Sequence, residues 1–217
     1  MRDPSILQVL TLVVSFLTLA VVFWYTRLTG KLLSAQTRQS FENTFFQLLR
    51  FHHDIVDATQ LERFGPPGFV PPSGRLAFSA LYNDFVNHYA SEQIRNPEAT
   101  AQCLASAAYL PYFKSCQYCL GHYFRNLYHL IKFVDKSCVN HSDKIFYTHL
   151  VRAQLSRDEL LLLFYNCHSS LGKDKFYPLV VRYGLLKNMD ENELASRRLK
   201  LPGDDLSLYP PGAYGKS

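Results

Sequence analysis

From Pro4 to Thr26 the chain carries no charged residue, and this run constrains the molecule more than any other. Its centre, Ile6 to Trp24, is built from Leu, Val, Ile, Phe and Ala around a few polar side chains. An α-helix needs about 20 residues to cross a hydrocarbon core of about 30 Å, so the run is long enough to span a bilayer. Trp24 and Tyr25 stand where an interfacial aromatic belt belongs, and Arg27 and Lys31 follow at once. A cleaved signal peptide is the rival reading. It would carry a shorter apolar region and a small-x-small cleavage site, whereas Phe23-Trp24-Tyr25-Thr26-Arg27 follows here. The span is the better account.

Basic residues flank the run unequally. Arg2 precedes it beside Asp3, while Arg27, Lys31 and Arg38 follow. The positive-inside rule therefore expects the short N-terminus outside and the rest of the chain in the cytoplasm. Cysteine usage points the same way. Cys103, Cys116, Cys119, Cys138 and Cys167 are odd in number and form no repeating framework, which suits free thiols in a reducing compartment.

Within the run, Gln8, Thr11, Ser15 and Thr18 are spaced 3, 4 and 3 residues apart and so share one helix face. Polar side chains at heptad spacing suit a helix–helix interface in lipid. Several copies together would line a wet pathway. The plainer alternative has Ser and Thr bonding back to their own helix carbonyls. Ala99 to Phe113 is also uncharged, but it is too short to cross and is interrupted by Pro111, so it reads as buried core.

Beyond the span, the pattern is mainly helical. The expected fold class is all-α, one N-terminal transmembrane helix continuing into a cytoplasmic helical domain. Residues 1–27 hold the short N-terminus and span, 28–196 the helical domain, and 197–217 a Pro/Gly-rich tail expected to be loose. Phe41, Phe45, Leu48, Leu49, His52, Ile55 and Val56 recur at helical spacing, giving a stalk helix over 31–61. The breakers Gly65-Pro66-Pro67-Gly68 and Pro71-Pro72-Ser73-Gly74 then make a loop over 65–74. A second helix is expected from Arg75 to Gln93. A third, Cys116 to Lys136, has a core stripe of Leu120, Phe124, Leu127, Ile131 and Val134. Ser142 is a candidate cap for a fourth helix, Asp143 to Gln154. Ser156-Arg157-Asp158-Glu159 reads as a capping box opening a Leu-rich helix that ends near Gly172. Tyr177 to Tyr183 is the one run ambiguous between strand and helix.

No motif names an enzyme: there is no Gly-rich phosphate loop, no HExxH and no G-x-S-x-G. Cys116-x-x-Cys119-x-x-His122 has metal-like spacing, but a zinc site needs four ligands and Cys167-His168 is poorly spaced to supply them. Buried thiols are the expectation, with no metal and no cofactor. His52-His53-Asp54 resembles a base beside a carboxylate, but neighbouring helical residues point apart, which favours a core group or partner contact over catalysis. The third helix offers more. His122, Arg125, His129, Lys132 and Lys136 are spaced 3, 4, 3 and 4 residues apart, a basic stripe opposite the apolar one. With Tyr128 and Phe133 beside it, the stripe suits phosphates of a nucleic acid or of lipid headgroups. A solvated amphipathic face gives the same pattern. Charge does not separate them. Without residues 1–27 the chain still holds 21 Lys and Arg against 17 Asp and Glu, a mild excess.

The segments Phe41-Glu-Asn-Thr-Phe-Phe-Gln-Leu-Leu-Arg50, His122-Tyr-Phe-Arg-Asn-Leu-Tyr128, Arg152-Ala-Gln-Leu-Ser156, Glu159-Leu-Leu-Leu-Leu-Phe-Tyr-Asn166 and Lys175-Phe-Tyr-Pro-Leu-Val180 together resemble the putative phage abortive infection protein family, over roughly Phe41 to Asn188. The resemblance implies a bacterial defence effector, anchored in the inner membrane, that stops growth or kills the infected cell. It is also similar to the transmembrane effectors encoded beside retron reverse transcriptases. That implies a retron reverse transcriptase with its DNA–RNA product as a partner; with the span and its polar stripe, the expected partners are also inner-membrane lipids and copies of the chain itself, with no small-molecule substrate. The family supplies no catalytic set. It does draw attention to Arg125, Arg152, Gln154, Glu159 and Asn166, polar residues within apolar helices. Buried charge is costly unless paired, so Arg125 or Arg152 is expected to pair with Glu159 and fix helix register, with ligand binding as the other reading.

Overall fold

A computed structural model of the chain describes residues 4–61, 70–201 and 203–216, with side chains from Gln8 onward. Arg2, Asp3, Gly65-Pro66-Pro67-Gly68 and Pro202 lie outside the described residues. The chain is all-α. Its helices are α1 (Pro4–Ala58), α2 (Arg75–Arg95), α3 (Ala101–Lys136), α4 (His141–Gln154), α5 (Arg157–His168), α6 (Tyr177–Tyr183) and α7 (Ala195–Arg198), with 3₁₀ turns at Glu191–Glu193, Asp205–Leu208 and Pro211–Tyr214. Among the described residues the sole β-type pairing is an isolated antiparallel bridge, Gln60 to Ser73. The chain divides within α1 into two compact units, Met1–Thr44 and Phe45–Ser217.

In the first unit every described side chain from Gln8 to Ser40 is exposed. Its apolar stretch reaches a mean hydropathy of 2.1 over an 18-residue window, none of it buried. Among the described residues this is the one helix long and apolar enough to cross a membrane. The Arg27 guanidinium lies 4.7 Å from the centre of the Phe23 ring.

The second unit is organised around α5. Every residue from Glu159 to His168 is buried, as expected of a helix apolar on all sides. The capping box forms as predicted: Ser156 Oγ accepts from Glu159 N–H (3.4 Å) and Glu159 Oε2 accepts from Ser156 N–H (2.8 Å). Helices α2 and α3 pack on one another and on α5. Phe85 of α2, fully buried, sits among Tyr165 (4.4 Å between ring centres), Tyr112 (5.4 Å) and Tyr109 (5.7 Å). Edge-to-face and tilted pairs of this kind add to the area buried. All five predicted stripe residues of α3, Leu120 to Val134, are buried.

Several expectations are corrected. The apolar run before Cys116 is itself helical: α3 begins at Ala101, carries Pro111 and joins the predicted third helix across a kink at Cys116. It breaks at Cys116 (φ −118°, ψ 16°), where Tyr112 O already accepts from Ser115 Oγ (2.6 Å) and Cys116 Sγ (3.3 Å). Side chains inserted into the backbone ladder bend a helix in this way. Helix α4 starts two residues before its predicted first residue, because Asn140 Oδ1, not Ser142, accepts from Asp143 N–H (2.8 Å). Helix α5 stops at His168 rather than near Gly172, and a turn follows. A Cβ at Gly172 would lie 2.6 Å from Cys167 Cα, so only glycine lets the turn fold back that closely. Tyr177–Tyr183 is a helix, entered with Pro178 in its first turn and closed by Gly184 in the left-handed region (φ 57°).

The loose tail is the largest correction. Asp205 is fully buried, and its carboxylate accepts from Tyr89 Oη (2.8 Å), Tyr165 Oη (2.5 Å) and Ser196 N–H (3.2 Å). Tyr209 is buried and donates to Phe164 O (2.8 Å), while Leu186 N–H donates to Ala213 O (3.0 Å). The Pro and Gly residues exclude long helices there, and the tyrosines anchor what remains.

Candidate functional site

Helix α3 displays the predicted basic stripe. His122, Arg125, His129 and Lys136 are exposed and Lys132 is half-exposed, opposite the buried apolar face. Among the described residues none of Arg125, Lys132, Lys136 or Lys175 forms an ion pair. Lys132 Nζ lies 5.3 Å from the centre of the Tyr128 ring, and Tyr128 packs edge-on against Phe176 at 5.6 Å. Phe133 is half-buried.

Part of the stripe faces a cleft of about 380 Å³ between α3 and the α5–α6 connection. Arg125, His129 and Lys175 bring cationic or titratable nitrogen to it, and Tyr128, Phe124 and Phe176 supply aromatic wall. Gly172 lies on the cleft lining, and Asn166, which donates from Nδ2 to Tyr109 Oη (3.0 Å), is another of its walls. A cationic rim over aromatic faces suits an anion attached to a flat ring. Lys175 was not singled out from the sequence as a binding residue. Its run, Lys173-Asp174-Lys175 after a helix end, is too common a surface pattern to have done so.

The polar residues singled out by the family resemblance separate. Arg125 is exposed and belongs to the stripe, not to a polar core. Glu159 is 1 % exposed but pairs with neither arginine: Oε1 accepts from Tyr123 Oη (3.0 Å) and Oε2 from the Ser156 N–H. Arg152 is half-buried and donates from Nη1 to Gly184 O (3.1 Å), tying α4 to the end of α6. The expected ion pair is thus replaced by neutral donors, which satisfy the carboxylate without burying a guanidinium beside it. The Gln154 backbone carbonyl accepts from Arg75 Nη2 (3.1 Å), and Asn166 is buried.

His52 is buried, 5.2 Å from the Tyr123 ring, with Nδ1 3.2 Å from Asn126 Oδ1. Burial holds its imidazole below the usual range, against the opposing pull of the Glu159 carboxylate. Asp54 is exposed, so the His52-His53-Asp54 run forms no base–carboxylate pair. Cys116 and Cys119 are buried thiols whose Sγ atoms donate to the carbonyls of Tyr112 (3.3 Å) and Cys116 (3.2 Å), and His122 is exposed. Burial pushes the Cys116 thiol up to about 12, which keeps it protonated and unreactive.

On the N-terminal helix, Ser15 Oγ donates to Thr11 O (2.9 Å) and Thr18 Oγ1 lies within bonding distance of Val14 O (3.1 Å) and Ser15 O (2.8 Å). The Ser15 and Thr18 hydroxyls are therefore satisfied within their own helix, while Gln8, Thr11, Ser15 and Thr18 all stay exposed.

No curated protein and no solved structure matches the chain. The family resemblance is found over a shorter stretch than Phe41 to Asn188, and the Phe41–Arg50 segment lies outside it. Residues 115–194, from the bend of α3 to the turn before α7, match the model of the family described as putative phage abortive infection protein, which supports a role in phage defence.

Proposed function

We propose that the chain is a membrane-anchored effector of phage defence that acts on the bacterial inner membrane without catalysis. The carrying observation is the pairing of an uncovered apolar helix with a phage-defence segment in one chain. In this reading the N-terminus lies outside and residues 28–196 lie in the cytoplasm, where a partner holds them at rest. A retron reverse transcriptase with its DNA–RNA product fits that role. Infection frees the effector, copies associate along Gln8, Thr11, Ser15 and Thr18, and the membrane leaks. Hydroxyls already bonded within their own helix can still be shared with a neighbouring one, at less than about 2 kcal/mol per contact.

Membrane potential and dye entry, followed after induction of the chain, test this. Depolarisation should precede growth arrest, and replacing all four stripe residues by Leu should abolish it while the protein still fractionates with membranes. Arrest with an intact potential would sink the membrane reading. Undiminished depolarisation by the four-Leu variant would sink the stripe alone.

A second reading has one specific observation behind it, the unpaired cationic face of α3 with its aromatic neighbours. There the apolar helix only localises a nucleic-acid-binding module. Reversing charge at Arg125, Lys132 and Lys136 should then remove binding to single-stranded DNA or RNA, and binding that persisted would exclude the stripe.

A further inference from the structure

We infer that a second cleft, at the start of α3, binds a phosphate monoester. The site is separate from the basic stripe and does not depend on the membrane reading. It measures about 490 Å³, within the range of small-ligand pockets (about 300–1,000 Å³), and brings Ala101 and Gln102 of α3 together with His168, Lys173, Tyr177 and Ser207.

Three independent features make it a site for an oxyanion. First, α3 runs from Ala101 to its break at Cys116, and Thr100 caps it by accepting from Cys103 N–H (3.4 Å). The first ladder bond is Leu104 N–H to Thr100 O (2.9 Å), so the N–H groups of Ala101 and Gln102 have no acceptor within the helix. These point from the positive end of the helix dipole, the arrangement that holds phosphates elsewhere.

Second, His168 is 7 % exposed and neither ring nitrogen has a hydrogen-bond partner among the described residues. An imidazole always carries at least one N–H, and a buried donor left unmet is destabilising. A ligand oxygen would remove that cost. Third, Lys173 is exposed on the turn after α5 and, among the described residues, makes no ion pair.

The nearest buried carboxylate, Asp205, is occupied by Tyr89, Tyr165 and Ser196, so it does not compete for these donors. The Ser207 and Tyr177 hydroxyls already donate to Asp204 O (2.8 Å) and Leu208 O (3.3 Å) and count as walls. A bare phosphate would leave most of the volume empty. The space beside Leu208 and the Tyr177 ring suits the organic part of a monoester.

The monoester could arrive as a soluble nucleotide or as an anionic lipid headgroup, and titration of the full chain distinguishes them. In detergent, AMP and inorganic phosphate are the probes; in nanodiscs, phosphatidic acid against phosphatidylcholine alone. Saturable binding of AMP identifies the soluble source, and a response confined to phosphatidic acid identifies the lipid. Lys173→Glu, on an exposed side chain, should weaken either at least tenfold with the melting temperature of the unliganded protein unchanged. His168→Asn should weaken it as well, whereas Arg125→Glu should have no effect. The assignment is overturned if no phosphate probe binds at millimolar concentration. It is equally overturned if Lys173→Glu binds like the parent, or if Arg125→Glu abolishes binding, which would move the ligand to the other cleft.

Discussion

The two units of the chain use apolar residues for opposite ends. Residues 8–40 expose every side chain, and hydroxyls such as those of Ser15, Thr18, Thr26 and Thr29 bond to carbonyls about one turn back. The second unit buries most of the large apolar side chains described in it, with Tyr82, Tyr89, Tyr109, Tyr112, Tyr123 and Tyr165 all nearly inaccessible. Each buried tyrosine brings a hydroxyl that must find a partner in the interior. Tyr112 uses Leu81 O, Tyr123 uses Glu159, Tyr82 uses Glu193 O, and Tyr89 and Tyr165 share Asp205. The first unit leaves its apolar surface uncovered; the second builds an apolar interior and specifies it through hydroxyl bonds. Hydrophobic content alone does not separate these two designs. The distribution of tyrosine does.

Substitutions can break that comparison. The largest effect is expected at Phe85. Phe85→Ala leaves a cavity among three tyrosine rings and should cost about 3–5 kcal/mol in thermal unfolding of the full chain, with membrane association retained. Val13→Arg should do the reverse. At the middle of the apolar stretch it opposes insertion by about 2.5–3.5 kcal/mol, visible as extraction by alkaline carbonate, while the unfolding transition of residues 45–217 stays in place. If either change moved both readouts together, the two units would not be energetically separate.

The smallest effect sharpens the account of the second unit. Asp135 joins three helices: Oδ1 accepts from Arg182 (2.6 Å) and Tyr183 (2.8 Å) of α6, and its carbonyl from Lys144 Nζ (2.7 Å) of α4. Burial by itself would raise its pKa, but the bonds from Tyr183 and Arg182 outweigh it and hold the carboxyl below its usual range. A depressed value contributes stability above the unfolded pKa of about 4, lost as pH falls through the folded value. Asp135→Asn should therefore cost roughly 1 kcal/mol at pH 7, and less as the medium is acidified towards pH 3. Melting curves at the two pH values check this, and a pH-independent difference would mean that the charge is immaterial.

The legible part of the fold was what depends on neighbours in sequence. The Ser156–Glu159 box and the two faces of α3 follow from spacing alone and are present as read. The illegible part depends on distant partners. Nothing local indicates that Asp205 meets Tyr89 and Tyr165, so a Pro/Gly-rich stretch looked loose although its side chains are anchored. Ser142 was read as the cap because it precedes the helix pattern, yet Asn140 has the side chain that reaches. Of the candidate sites, spacing had already placed Arg125 on the solvent face, and it was the family resemblance that suggested a buried role. Lys175 and the cleft around it needed the close turn at Gly172, which sequence does not announce.

The clasp of Asp205 also sets an order of events during synthesis. A chain grows at about 5–20 residues per second, so the stretch from residue 44 to residue 214 takes on the order of 10–30 s to make. Until residue 205 is added, α2 and α5 lack the acid that joins Tyr89 to Tyr165. The exposed apolar helix thus precedes an unfinished globule. Chaperones that meet this nascent chain therefore meet tyrosine-rich helices whose shared acid has yet to be made.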